Sequence, residues 1–137
     1  MTDEATVRRI SAFLIGKESM DTFALVRPEH LNHYGYLFGG QLLKWVDEAA
    51  WLAASREFPG RRLVTRALER IDFKTQIANG SILRFSIGRI RLGITSATYE
   101  VRVFGQPPGG HSEKEVFFTT ITFVSVDERG QKVALKK

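Results

Sequence analysis

The sequence predicts an α+β domain in which an antiparallel sheet wraps around one long central helix. Three observations predict it. A single long periodic element, from Gln41 to about Glu57, is apolar on nearly every side, so other structure must cover it. Everything after Arg61 reads as strand, and the turns between these strands are short, which implies antiparallel pairing. The chain has 137 residues, 43% of them hydrophobic and 26% charged, and no cysteine. That is one domain's worth of chain, able to bury a core without disulfides.

Taken in order, residues 1–20 carry a short amphipathic pattern (Val7, Ile10, Phe13, Leu14) and read as an arm or partial helix. DTFALVR, Asp21 to Arg27, reads as a first strand. Pro28 opens a turn segment, PEHLNHYGYLFGG, rich in Gly, Asn and His. In the helix that follows, Leu42, Leu43, Trp45, Val46, Ala49, Ala50, Leu52, Ala53 and Ala54 are apolar. At about 100° per residue, Lys44, Asp47, Glu48, Trp51 and Ser55 fall in one narrow polar seam. Pro59-Gly60 ends the element, as these residues do beyond a helix terminus.

Leu63–Phe73 alternates imperfectly as a strand, and Gln76–Ser81 makes a turn around Asn79-Gly80. In Ile82–Ile90, Phe85 and Ile87 share a face, and the phase shifts at Gly88 so that Ile90 and Leu92 continue it, which predicts a bulge at that glycine. Gly93 turns the chain into Ile94–Phe104, where Ala97, Tyr99, Val101 and Val103 share a face. GQPPGGHSEK reads as a hairpin loop, and Glu115–Val126 as a last long strand. The domain is expected over 21–127, with 128–137 a basic tail. Long strands beside one helix leave sheet edges that need cover, so self-association is expected.

Charge and motifs narrow the chemistry. Lys and Arg number 20 against 15 Asp and Glu, a formal charge of +5, which favours an anionic partner without naming it. The basic residues are dispersed, with no basic helix, zinc-finger spacing or ribonucleoprotein signature, so no nucleic-acid partner is expected. No apolar run suits a signal peptide or a membrane span, so the expectation is a cytoplasmic protein with no membrane partner. G-x-S-x-G, P-loop and G-x-G-x-x-G motifs are absent. His30 and His33 are three apart without a local third ligand, so no metal is expected.

What remains is Asn32, Gly35, Phe38, Gly39 and Gly40, followed by Asp47. Two glycines at a helix start allow close approach to the backbone. The free N–H groups of the first turn and the helix dipole favour negative charge, which is how an oxyanion hole is built. Asp47 lies about two turns further on, in the polar seam of an otherwise apolar helix. Each feature also has a plainer explanation: tight packing at Gly39-Gly40, a solvated Asp47 beside Lys44, a capping Asn32.

The stretch Pro28–Ala54 resembles the hotdog-fold acyl-CoA thioesterases, whose acyl-CoA hydrolase branch has the pattern N-x-x-G-x-x-F-G-G with an acid nine positions past the phenylalanine. Asn32, Gly35, Phe38, Gly39, Gly40 and Asp47 match at that spacing, followed by Glu48-Ala49-Ala50. Val64-Thr65, Arg70-Ile71-Asp72-Phe73-Lys74, Gly80 and Gly93-Ile94-Thr95-Ser96 extend the likeness over about residues 21–126. Thr75-Gln76 and Ser81 depart from it, where the family commonly has a proline and an acid.

The resemblance implies a hotdog fold, active sites between two subunits, and hydrolysis of acyl-CoA to free fatty acid and coenzyme A. It implies that Asp47 activates water or attacks the thioester directly. Asn32 of the facing subunit would position the water or the carbonyl, and the N–H of Gly40, with Gly39, would hold the oxyanion. Lys74, Arg89 and Arg91 become candidates for the phosphates of coenzyme A, with Thr95 and Ser96 near the pantetheine or nucleotide. Coenzyme A is then part of the substrate, and no separate cofactor is expected. Trp45 and Trp51 are expected in the core. The assembly is expected to be a homo-oligomer, at minimum a dimer, with a tetramer or hexamer in view. A non-catalytic acyl-CoA-binding module, or a hotdog dehydratase or hydratase using His33, are the competing readings.

Overall fold

The computed structural model describes residues 19–136. The arm read over 1–20, with Val7, Ile10, Phe13 and Leu14, lies almost wholly outside the described residues. Strand β1 (Met20–Leu25) leads through a 3-10 turn (Pro28–His30) to helix α1 (Gly39–Glu57). Four strands follow: β2 (Arg62–Phe73), β3 (Ile82–Leu92), β4 (Ser96–Gln106) and β5 (Lys114–Val126). They form one sheet in the order β1-β3-β4-β5-β2, antiparallel at every pairing.

Alternation in the strands builds one apolar face. Phe85, Val103, Phe117 and Phe73 stand in a row across β3, β4, β5 and β2, and Tyr99, Ile121 and Leu68 make another. Leu42, Val46, Ala49, Ala50 and Ala54 of α1 are buried in the same core. Fully burying a side chain such as Leu42 or Phe85 stabilises the fold by about 1.5–3 kcal/mol. The sheet covers one side of α1 only. On the helix Trp51 and Leu52 stay 43% and 44% exposed. Among the described residues no helix is long and apolar enough to cross a membrane.

Three local features differ from the sequence reading. The β3 bulge falls between Arg89 and Arg91, not at Gly88, which pairs in register with Glu100. Arg89 stays in phase because Glu57, at the end of α1, holds its guanidinium (3.5 Å), and the extra residue is Ile90. Beyond it Leu92 is exposed. The imperfect alternation of β2 has a structural cause: register shifts between Thr65 and Ala67 and between Glu69 and Asp72, with Arg70 at φ 57° in the second. Finally, the segment after Val126 does not simply trail away as a basic tail. Asp127 Oδ1 accepts from the N–H groups of Arg129 and Gln131 (both 2.9 Å). Val133 N–H then donates to Ser125 O, and Leu135 N–H to Ile94 O. Leu135 is buried in the core and its carbonyl accepts from Arg61 Nε. A single leucine among lysines finds an apolar slot that composition does not reveal.

Candidate active site

After the Pro59-Gly60 turn, β2 runs back along α1, antiparallel to it, and contacts mark its course. Trp51 Nε1 donates to Leu63 O (3.2 Å), Thr65 Oγ1 donates to Asp47 Oδ1 (2.6 Å), and the Phe73 ring lies against Gly39. Asp47 is half-buried and thus held from one side by an edge-strand hydroxyl. A charge-assisted bond this short fixes the carboxylate orientation and leaves its second oxygen to act. Thr65 had no role in the sequence reading beyond its part in the resemblance. Its signal was its place two residues past Leu63, on the same helix-facing side of an edge strand.

The loop before the helix is shaped by Asn32. Its Oδ1 accepts from the N–H groups of Tyr34 (2.9 Å) and Tyr36 (3.2 Å), and its own N–H donates to Tyr36 O. Gly35, at φ 87°, supplies the left-handed residue that this turn requires. The loop is tied to its surroundings by Leu37 N–H to Ile77 O and Phe38 N–H to His30 O. The side-chain oxygen of Asn32 is therefore committed to the loop, and its NH2 remains the group that can donate outward. Among the described residues no hydrogen bond joins Asn32 to Asp47.

The helix start is bare. Phe38 stands at the N-cap with no side-chain cap bond, and the first turn holds no acid. The N–H groups of Gln41 and Leu42 both turn back to Phe38 O (3.0 and 3.2 Å). Those of Gly39 and Gly40 meet no acceptor among the described residues, which leaves two adjacent amides at the positive end of a 19-residue helix. A side chain would crowd Gly40 but meet only ordinary contact at Gly39. A Cβ at Gly40 would stand 2.7 Å from the Phe38 ring, and one at Gly39 would stand 3.4 Å from the Phe73 ring.

The candidate phosphate ligands do not form one cluster within the chain. Lys74 follows Phe73 near the start of α1, where its Nζ pairs with Asp72 (2.7 Å) and lies 3.9 Å from Glu115. Arg89, Arg91, Thr95 and Ser96 sit at the β3–β4 turn, on the side of the helix C-terminus, about 28 Å away along a helix of this length. Arg89 is held by Glu57, whose other oxygen accepts from Tyr99 OH (2.6 Å). Burial, then the hydrogen bond and charge of Glu57, push the Tyr99 phenol well above its ordinary range. The carbonyls of Thr95 and Ser96 are used by Ser125 and Gly93, while Arg91 is exposed.

His30 and His33 both serve the loop. His30 Nδ1 accepts from Arg27 N–H and its ring meets Trp45 edge-on at 4.7 Å, while His33 lies 4.0 Å from the Tyr34 ring. Among the described residues no three His, Asp or Glu side chains gather as a metal site would require. Trp45 packs on the core beside Phe85. Trp51 corrects the expectation of a core residue, because the sheet ends at β2 and leaves the ring half open.

A family model, the thioesterase superfamily, matches residues 34–110, more than half of the chain. The chain belongs to the thioesterase superfamily. It is 34% identical over 113 residues to acyl-coenzyme A thioesterase 11 of Mus musculus, covering 82% of this chain and 19% of that protein. It is 30% identical over 104 residues to an uncharacterised acyl-CoA thioester hydrolase of Zymomonas mobilis, covering 76% of this chain and 69% of that one. The chain thus spans about a fifth of the length of the mammalian relatives it matches first. An acyl-CoA hydrolase of Staphylococcus aureus, solved with butyryl coenzyme A and coenzyme A, superposes with a TM-score of 0.76 at 25% identity, over 85% of this chain and 70% of that one. A hexameric thioesterase of Yersinia pestis superposes at 0.77 and 24%, over 85% and 93%. The sheet order and single helix described above are those of the hotdog fold.

Proposed function

We propose that this thioesterase-superfamily chain hydrolyses acyl-CoA to a free acid and coenzyme A, at a site shared between two copies of the chain. The observation that carries this is a carboxylate fixed by a threonine hydroxyl (Asp47–Thr65, 2.6 Å) on the same helix face as two unclaimed amides, those of Gly39 and Gly40. Asp47, as base, takes a proton from water whose oxygen adds to the thioester carbonyl; as nucleophile, it adds directly and water then releases it. In either course the carbonyl oxygen becomes an oxyanion between the glycine amides. The C–S bond breaks as it collapses, and the thiolate of coenzyme A leaves and takes up a proton. The loss of one oxyanion donor raises such barriers by about 3–4 kcal/mol.

Helix geometry favours two copies. Gly40 and Asp47 lie seven residues, or about 10 Å, apart along one helix and on one face. A carbonyl seated on the amides of its own copy is therefore remote from direct attack by that copy's carboxylate. Two copies meeting antiparallel along α1 and the β2 edge bring one Asp47 to the other's helix start. The same contact covers Trp51, Leu52, Ile71 and Phe73, exposed by 43–49%, and caps a free sheet edge. The Asn32 NH2 of the facing copy then orients the water or the carbonyl. At the nucleotide end we assign the phosphates to Arg91, with Thr95 and Ser96 beside it, because Lys74 and Arg89 are already paired with acids. The solved coenzyme A complexes of the S. aureus relative support this substrate class, and a cytoplasmic location fits it.

The test is release of free thiol from acyl-CoA of graded chain length. Asp47→Asn should keep the fold and lower the rate by about 10³-fold. A parent-like rate in Asp47→Asn contradicts the reading. Saturable binding without turnover at any chain length would favour the binding module, and loss of enoyl-CoA absorbance would favour the hydratase.

A further inference from the structure

Two aromatic rings flank the bare helix start, and they are held differently. Gly39 and Gly40 are neighbours on α1, so their outward directions differ by about 100° around the axis. The Phe73 ring lies on the Gly39 side, where a Cβ would stand 3.4 Å from it, and it meets the buried Phe117 edge-on at 5.0 Å. The Phe38 ring lies on the Gly40 side and fills the space a side chain would take, 2.7 Å from an ideal Cβ. Its backbone is fixed, since Phe38 N–H donates to His30 O and its carbonyl accepts from Gln41 and Leu42. The ring itself is 56% exposed. One wall of the helix start is thus anchored on the core. The other is an exposed ring resting in a glycine's hollow, beside an amide that meets no acceptor among the described residues.

We propose that Phe38 determines which acyl groups the site accepts, its ring crowding the carbon next to the thioester carbonyl so that straight chains pass and chains branched at that carbon are slowed. This rests on the thioesterase reading above. A carbonyl oxygen accepting from the Gly40 N–H stands about 2.9 Å from that nitrogen. The next carbon of the acyl group is about 2.4 Å from the oxygen, within reach of what packs on Gly40. The ring suits the acyl side of the thioester better than the pantetheine side. Pantetheine carries amides and a hydroxyl that need hydrogen-bond partners, and a phenyl ring supplies none. A hydrocarbon chain needs none.

The experiment measures kcat/KM for thiol release from butyryl-CoA and isobutyryl-CoA, isomers that differ only in branching at that carbon, in the parent, Phe38→Ala and Phe38→Leu. Comparing the ratio between variants cancels the isomers' own difference in reactivity. The butyryl-to-isobutyryl ratio should fall by about 10-fold in Phe38→Ala, since one methylene in a fitted pocket is worth about 10- to 200-fold. In Phe38→Leu it should fall by less, and that variant carries the test if Phe38→Ala does not fold. An unchanged ratio, or a loss of equal size on both esters as a pantetheine contact would give, overturns the assignment of Phe38 to the acyl group and leaves the thioesterase reading in place. A parent that releases thiol from neither ester, nor from any other chain length, overturns that reading and the assignment with it.

Discussion

The two ends of α1 are finished in opposite ways. At the C-terminus the chain closes back on itself: Phe58 N–H returns to Ala54 O, and Glu57 is bound by Tyr99 and Arg89. Close by in the sequence, Arg61 closes onto Leu135. An acid in the last turn opposes the helix dipole, and the phenol and guanidinium offset that cost. At the N-terminus the amides of Gly39 and Gly40 have no acceptor, no acid balances the dipole, and Phe38 and Phe73 stand 56% and 49% exposed beside them. The paired end serves architecture, while the bare end beside two aromatics is where the proposed oxyanion would find its donors.

That contrast is broken or sharpened by substitutions at each end. The largest effect is expected at the bare end. Gly40→Ala inserts a Cβ against the Phe38 ring and into the path of the carbonyl, so the rate of thiol release should fall by about 10²-fold. The unfolding midpoint should change little, since the half-exposed Phe38 ring has to give way while alanine is the better helix former. At the satisfied end, Tyr99→Phe should leave kcat alone and reduce stability by about 1–2 kcal/mol in urea unfolding, through the Glu57 bond it removes. Its pH dependence has a definite sign. The folded state holds the Tyr99 proton more tightly than the unfolded chain, because burial and Glu57 disfavour the phenolate. Stability from this group is thus complete below about pH 10 and declines above it. That alkaline decline should be shallower in Tyr99→Phe. The smallest effect is expected at Arg70, a non-glycine residue in the left-handed region within the β2 bulge. Arg70→Gly should relieve about 1 kcal/mol of backbone strain, partly offset by loss of the guanidinium's position over the Phe118 ring.

Sequence patterns disclosed what depends on neighbours along the chain. The helix from its apolar run, the strands from alternation, and the turn at Gly80 (φ 84°) are all local. Contacts between distant residues were hidden. The bulge at Ile90 depends on Arg89 reaching Glu57, and the burial of Leu135 depends on the β3–β4 turn. Site chemistry divides the same way. Asp47 and the glycine pair stood out as departures from an apolar helix, and Asn32 as a candidate only through the family resemblance. Thr65 had no assigned role, because its contact with Asp47 comes from β2 passing the helix. Arg89 looks free in a linear sequence because Glu57 lies far off along the chain, whereas Lys74 meets Asp72, only two residues before it.

The shared site is tested most directly by mixing two disabled chains. Asp47→Ala and Asn32→Ala are each expected to be inactive, and they are to be unfolded together, refolded at equal amounts, and assayed for thiol release. If one copy's Asp47 works with the other copy's Asn32, half the dimers are mixed and each regains one intact site, giving about a quarter of parent activity. Activity that stays at the level of the separate variants, with mixed dimers demonstrably formed, would mean that each chain carries its own complete site and would contradict the account.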